Sequence, residues 1–141
     1  MDATNNLVSV EDRALACTTR ESIKALEAIM ATMPNQVVSP TRHVFAKGAY
    51  MRCIHMSKGT ITTSKIHKTQ HISVVVSGDV TIAKADGTQE RVTGPHIFVT
   101  EPNTKRAIVV NEDTMWITFH VTDKTDLASI EADVITEDYL Q

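Results

Sequence analysis

Apolar residues recur along this chain first at helical spacing and later at every second position. Thr18-Thr19-Arg20-Glu21 has the form of a capping box, with Thr18 at the cap and Glu21 reaching back to free amides. Ile23, Leu26, Met30 and Met33 follow at intervals of three or four residues, which predicts an amphipathic helix over 19–33 ended by Pro34-Asn35. Upstream, Ser9 and Asp12 are spaced to cap a short helix running to Cys17.

From Val37 the period shortens to two. Runs at 42–45, 49–56, 60–65, 72–77, 80–84, 90–92, 97–100, 107–110 and 114–121 are separated by turn residues such as Lys58-Gly59, Gly78-Asp79, Asp86-Gly87 and Asn111-Glu112-Asp113. In 49–56, Tyr50, Arg52, Ile54 and Met56 share one face, and Met51, Cys53 and His55 share the other. The β-branched run Val74-Val75-Val76 favours an extended backbone. Short strands at this spacing, with no room for crossover helices, predict a mostly β fold: an antiparallel barrel or jelly roll. A last helix is expected with Thr125 as its cap and Leu127, Ile130 and Val134 as its stripe. The organisation is then an N-terminal helical extension (1–36), a β-barrel (37–122) and a C-terminal helix and tail (123–141).

Bulk properties narrow the function. A length of 141 residues suits one domain with one core. A formal charge of −3 gives no general attraction to nucleic acid or anionic membrane. No apolar run approaches the ~18 residues of a bilayer span, and MDATNNLVSVED lacks the basic and apolar regions of a secretory signal. Cys17 and Cys53 lie in unrelated segments and read as buried thiols in a reducing compartment. A cytoplasmic protein is expected.

The candidate chemistry gathers around 65–78, KIHKTQHISVVVSG. His67 and His71 stand at the entrance of a strand, and His120 shares strand parity with Trp116 and Thr118. The three imidazoles are either ligands of a divalent metal (Zn, Fe or Mn) or polar groups satisfied by one another, by Thr62 or Ser73, or by water. Lys65 is either a buried Schiff-base or anion-binding lysine, or extends its ammonium to solvent at the barrel mouth. Arg106, next to Lys105, either grips a carboxylate or phosphate or belongs to a solvated turn. Trp116 completes the candidate ligand-binding set. His43 and His55 have no partner legible in the sequence, and His96, after Gly94-Pro95, reads as a surface loop residue. No Ser/His/Asp or Cys/His arrangement and no phosphate-binding glycine loop can be identified.

These residues resemble the first cupin motif, G-x5-H-x-H, then three or four residues, then E-x6-G. Gly59, Lys65, His67, His71 and Gly78 fall on it, with Lys65 at the first histidine and His71 at the glutamate. Pro102 to Ala107 has the spacing of the second motif, P-x-G-x-x-H, with Thr104 for its glycine and Ala107 for its histidine. Residues 37–131 also resemble small cupin-like proteins of phages and prophages. The strings that carry this are Ile66-His67-Lys68-Thr69-x-His71, Glu101-Pro102-x-Thr104-Lys105-Arg106, and Glu112-Asp113-Thr114-x-Trp116-x-Thr118-x-His120. The resemblance implies a cupin barrel in a phage genome. Two readings follow. One is a non-catalytic, homo-oligomeric module, virion-associated or accessory, that meets other phage structural proteins in the host cytoplasm or the virion. The other is a metal-dependent dioxygenase, isomerase or lyase that uses His67, His71 and His120 on a small anionic molecule held by Lys65 or Arg106.

Overall fold

A computed structural model of the chain describes residues 9–136. The elements, in order, are α1 (Val10–Leu15), α2 (Arg20–Ala31), β1 (Thr41–Ala46), β2 (Ala49–Met56), β3 (Ile61–Thr63), β4 (Ile66–His67), β5 (His71–Lys84), β6 (Gln89–Thr93), β7 (His96–Thr100), β8 (Arg106–Val121), α3 (Leu127–Val134) and β9 (Ile135–Thr136). Seven strands form one antiparallel sheet in the order β1-β2-β8-β5-β6, with β3 added to β8 and β7 added to β5. The sheet folds over without closing into a ring, as in a jelly roll. Because β5 and β8 are long, each contributes to both halves. Their first pairing, Ile72–Val75 against Trp116–Phe119, carries β1, β2 and β7. Their second, Val80–Lys84 against Arg106–Val110, carries β3 and β6.

Two expected turns are absent. Gly78-Asp79 lies inside β5 and Asn111-Glu112-Asp113 inside β8, where the β5–β8 register shifts three times between Val75 and Val80. A bulge, not a reversal, absorbs the turn-forming residues: it bends the ladder so that both strands pass from one half to the other. Gly78 sits at φ +104° with Thr114 and the Asp113 carbonyl packed against its Cα, a site that admits no Cβ.

The helices also differ in detail. Ser9 caps α1 as expected, accepting from the Asp12 amide at 3.0 Å, but the helix stops at Leu15. The cap of α2 is Thr19 rather than Thr18. Ser22 Oγ accepts from the amides of both Thr18 and Thr19, and Thr19 Oγ1 accepts from Ser22, so a hydroxyl one residue later does what Glu21 was expected to do. The stripe of α2 holds: Ile23 and Leu26 are buried with Ala14 and Cys17 against Ala83, Ala107 and Val109. Asp126, not Thr125, caps α3, and Ile130 and Val134 pack on Tyr50. The main core, Val75, Val80, Ile82, Val92, Ile108, Val110, Trp116 and Met56, fills the space between the two halves. Both cysteines are buried and unpaired. No helix among the described residues is long and apolar enough to cross a membrane.

Candidate metal centre and anion pocket

Inward-pointing residues of the first half-sheet leave a pocket of about 230 Å³. Strand alternation decides which side chains enter it. Tyr50, Arg52 and Ile54 come from β2, His71 and Ser73 from β5, and Trp116, Thr118 and His120 from β8. The short β4 adds His67, held there because β4 pairs with β9 through His67 and Ile135. Lys68 reinforces that closure, its amide and ammonium donating to the carbonyls of Val134 and Ala132. Ile130, Glu131 and Val134 thereby line the pocket from the C-terminal segment.

His67, His71 and His120 converge. Each offers a ring nitrogen, and these three nitrogens lie within 4.8 Å of one another. His67 stacks on His120 at 5.3 Å between centroids, and His71 is 4.4 Å from His67 and 4.7 Å from His120. A tetrahedral ion with nitrogens at about 2.0–2.1 Å needs them roughly 3.4 Å apart, so modest ring rotations separate this arrangement from a coordinating one. Two further observations fit the donor set to a cation. His120 Nδ1 is buried with no hydrogen-bond partner, while its Nε2 meets Thr118 Oγ1 at 3.0 Å. His71 Nδ1 faces the Thr69 carbonyl at 3.4 Å, a long contact that directs Nε2 the other way.

The electrostatics keep the rings neutral. Burial is the largest cause throughout. It pushes His67 down to about 3, helped by His71, His120 and Arg52, and His120 down to about 4, helped by His71 and Arg52. His71 is lowered by burial and by Arg106, against the opposing hydrogen bond to Thr69. Neutral imidazoles present lone pairs, the form a metal takes.

The other expected site residues divide. Arg106 is 9 % exposed, and its Nη2 donates to Thr100 Oγ1 at 3.2 Å. Its guanidinium lies 5.5 Å from the Phe98 ring centre, and Phe98 meets buried Trp116 edge-on at 5.7 Å. Burial lowers the Arg106 pKa, and Glu90 acts against that from a distance. Lys65 is at the rim and exposed. Lys105 serves the fold instead: its ammonium bonds Glu27 at 2.7 Å and the Ser64 carbonyl at 3.0 Å, tying α2 to the sheet. Spacing alone put Ala107 at a ligand position. Strand parity turns Ala107 out beneath α1 and α2, and it is Arg106, one residue earlier, that faces the pocket.

Arg52 and Tyr50 were not singled out from the sequence. Arg52 lines the pocket, and no described ion pair involves it or Arg106. The signal was present, since both share the inward face of β2. Tyr50 stacks on His120 at 5.8 Å, and its hydroxyl lies 2.6 Å from His43 Nδ1, which gives that histidine a partner the sequence did not show. His96 stands on β7 rather than in a loop.

Solved structures share this architecture. A protein with a double-stranded β-helix domain from Klebsiella pneumoniae aligns at 14 % identity and TM-score 0.53, over 67 % of this chain and 85 % of that one. KdgF from Halomonas sp. aligns at 17 % identity and TM-score 0.53, over 67 % and 90 %. An RmlC-like cupin family protein from Methanocaldococcus jannaschii aligns at 11 % identity and TM-score 0.51, over 64 % and 86 %. The fold is that of the cupins. At these identities the likeness carries the fold alone. No protein-family model matches the sequence, and no curated protein does.

Proposed function

We propose that this cupin binds one divalent metal ion through His67, His71 and His120 and holds a small organic anion beside it. The observation that carries the reading is the convergence of three ring nitrogens within 4.8 Å, one ring having a buried nitrogen without a partner. Three imidazoles suit Zn or Fe(II) and leave coordination positions open. When bound, such an ion supplies Lewis-acid polarisation of an oxygen on the ligand.

The chain's own residues set the ligand class. Arg106 and Arg52 line the same pocket, neither in a described ion pair, with Glu131 as the acid on its wall. A buried guanidinium in no described ion pair, which Glu90 reaches only through space, favours an anionic guest that can accept two parallel hydrogen bonds, as a carboxylate does. Trp116, Ile54 and Ile108 give the pocket an apolar wall, and about 230 Å³ admits a molecule of modest size. Tyr50, whose pKa burial raises, supports His120 from behind.

The test is metal content of protein purified without chelator, alongside His67→Ala and His120→Ala variants. About one ion per chain in the parent, lost from both variants while circular dichroism is unchanged, is the expected result. A parent that carries no metal and takes up neither Zn(II) nor Co(II) on titration would overturn the proposal.

A second reading, an oligomeric structural or accessory module of phage type, rests on the sequence strings described above and on an uncovered apolar sheet face.

A further inference from the structure

Arg106 also borders a second cavity, of about 170 Å³, which none of the three histidines lines. It is bounded by β6 and β7, which pair with β5 and with no other described strand. Strand parity sets its lining. On β5 and β6 the inward positions pass from core residues, Val80, Ile82 and Val92, to Lys84 and Glu90, and β7 adds His96. Inward charges on edge strands guard a sheet against pairing with another, which accounts for Glu90. Lys84 answers it at 2.9 Å. Arg106 has no such explanation. Its strand, β8, lies in the middle of the sheet, and a guanidinium 9 % exposed is costly to bury there. The described bond to Thr100 Oγ1 uses one N–H of the guanidinium fork. Arg106 and His96 lie against the same ring: the guanidinium carbon is 5.5 Å from the centre of Phe98, and the imidazole centre is 5.4 Å from it.

We propose that this cleft is a second binding site, separate from the metal pocket, which takes a small monocarboxylate with a compact apolar body. The carboxylate accepts from the Arg106 fork and from an N–H of His96, while the body lies on Ile82, Val92 and Phe98. Charge selects a monoanion. Two cations, Lys84 and Arg106, stand against one carboxylate, Glu90, and leave a single positive charge to be met. Glu90 is held by Lys84 and reaches Arg106 only through space, so it does not occupy the fork. A dianion such as phosphate would set its second charge beside Glu90. Size agrees: about 170 Å³ is the share of roughly six waters, room for a guest about as large as benzoate. The proposal does not rest on the metal reading, because no metal ligand lines the cleft.

Benzoate titrated into the full chain without added metal, followed by amide NMR, tests it. The amides of Val92 and Phe98 are expected to shift saturably, with a Kd of about 1 mM. His96→Glu, which sets a carboxylate in the cleft, should weaken that binding by about 10-fold or more. Glu90→Gln, which removes the opposing carboxylate and releases Lys84, should tighten it by about 5-fold or more. Both residues line the cleft and not the metal pocket, so neither change alters an anion held beside the histidines. The Glu90 side chain is 45 % exposed, so its substitution tests the site even if His96→Glu fails to fold. Three results would overturn the proposal: no saturable shift up to about 50 mM benzoate, shifts confined to residues of the metal pocket, or a folded variant whose Val92 and Phe98 shifts titrate as in the parent.

Discussion

Arg106 finds its partner in a neutral hydroxyl: Nη2 donates to Thr100 Oγ1 at 3.2 Å, and Thr100 is bonded in turn to Ser73 Oγ at 2.7 Å. A guanidinium buried to 9 % exposure without a described ion pair is costly to the fold, since its desolvation is offset only by a neutral hydroxyl, the Phe98 ring at 5.5 Å and the through-space attraction of Glu90.

Replacing it therefore separates stability from binding. Arg106→Met keeps most of the side-chain volume and leaves Thr100 its bond to Ser73. We expect the metal-free variant to gain about 1–2 kcal/mol in urea unfolding. Calorimetric affinity for small dicarboxylates should fall about 10-fold or more, because a charge-assisted pair is lost. A variant that is less stable yet binds as well would place Arg106 in the structural framework instead.

Acid sensitivity should come from the histidine cluster before the carboxylates. In the unfolded chain His67 and His120 take protons as pH falls through about 6.5. In the fold they stay neutral to about 3 and about 4. Between those limits the unfolded chain binds more protons, so stability is full above pH 6.5 and declines as pH falls toward 4. Each group contributes up to about 1.4 kcal/mol per pH unit, less near pH 6.5 where the unfolded rings are only half protonated, which comes to about 3 kcal/mol for the pair between pH 6.5 and 5. Asp79, Asp86, Asp126 and Glu90 have lowered pKa values and add their share only below that window. Chelator-treated protein unfolded in urea at pH 7.5 and 5.0 measures the slope. A His67→Gln/His120→Phe double variant should flatten it, and an unchanged slope would assign the sensitivity elsewhere.

Gly78 carries the bend of β5. An alanine Cβ there would lie 2.3 Å from Thr114 Oγ1 and 2.5 Å from the Asp113 carbonyl, at a φ of +104°. Thr114 cannot easily retreat, because its hydroxyl accepts from the Asp79 amide and donates to the Glu112 carbonyl. Gly78→Ala should cost about 2–4 kcal/mol, seen as a fall in Tm of about 8 °C or more. Gly59→Ala is the comparison: it shares a positive φ but has open space around it, so it should cost only the conformational penalty of about 1 kcal/mol.

How far the chain disclosed all this depended on which physical rule was local. Alternation in β2 was legible because its inward face mixes Tyr50 and Arg52 with aliphatics. In β5 it was hidden, since Ile72, Val74 and Val76 outside are as apolar as Val75 inside. The outer face that spoils the pattern is exposed at Ile72 and Val76. Gly78-Asp79 and Asn111 to Asp113 looked like reversals because turn chemistry and bulge chemistry use the same residues. Only the β5–β8 ladder, a long-range pairing, tells them apart. The three-histidine set was accessible through strand parity at His120. Arg52 was legible on the inward face of β2, whereas the inward direction of Arg106 needed the register of neighbouring strands.

The ion pair between Glu27 and Lys105 shows the same dependence on distant neighbours, and it predicts an asymmetry. Lys105 Nζ lies 2.7 Å from Glu27 Oε2, but the lysine side chain is 8 % exposed and the glutamate 36 %. Glu27 also accepts from Thr63 Oγ1 at 2.6 Å, whereas Lys105 keeps only the Ser64 carbonyl once Glu27 is gone. Removing the lysine leaves a carboxylate that water and Thr63 can satisfy. Removing the acid leaves a buried ammonium with one neutral acceptor. Glu27→Met should therefore cost about 2–3 kcal/mol and Lys105→Met about 1 kcal/mol or less. Urea unfolding of the two single variants and the double variant measures both values and their coupling. Equal costs would mean that the lysine reaches solvent in the unpaired state, and that α2 is held on the sheet by its apolar stripe alone.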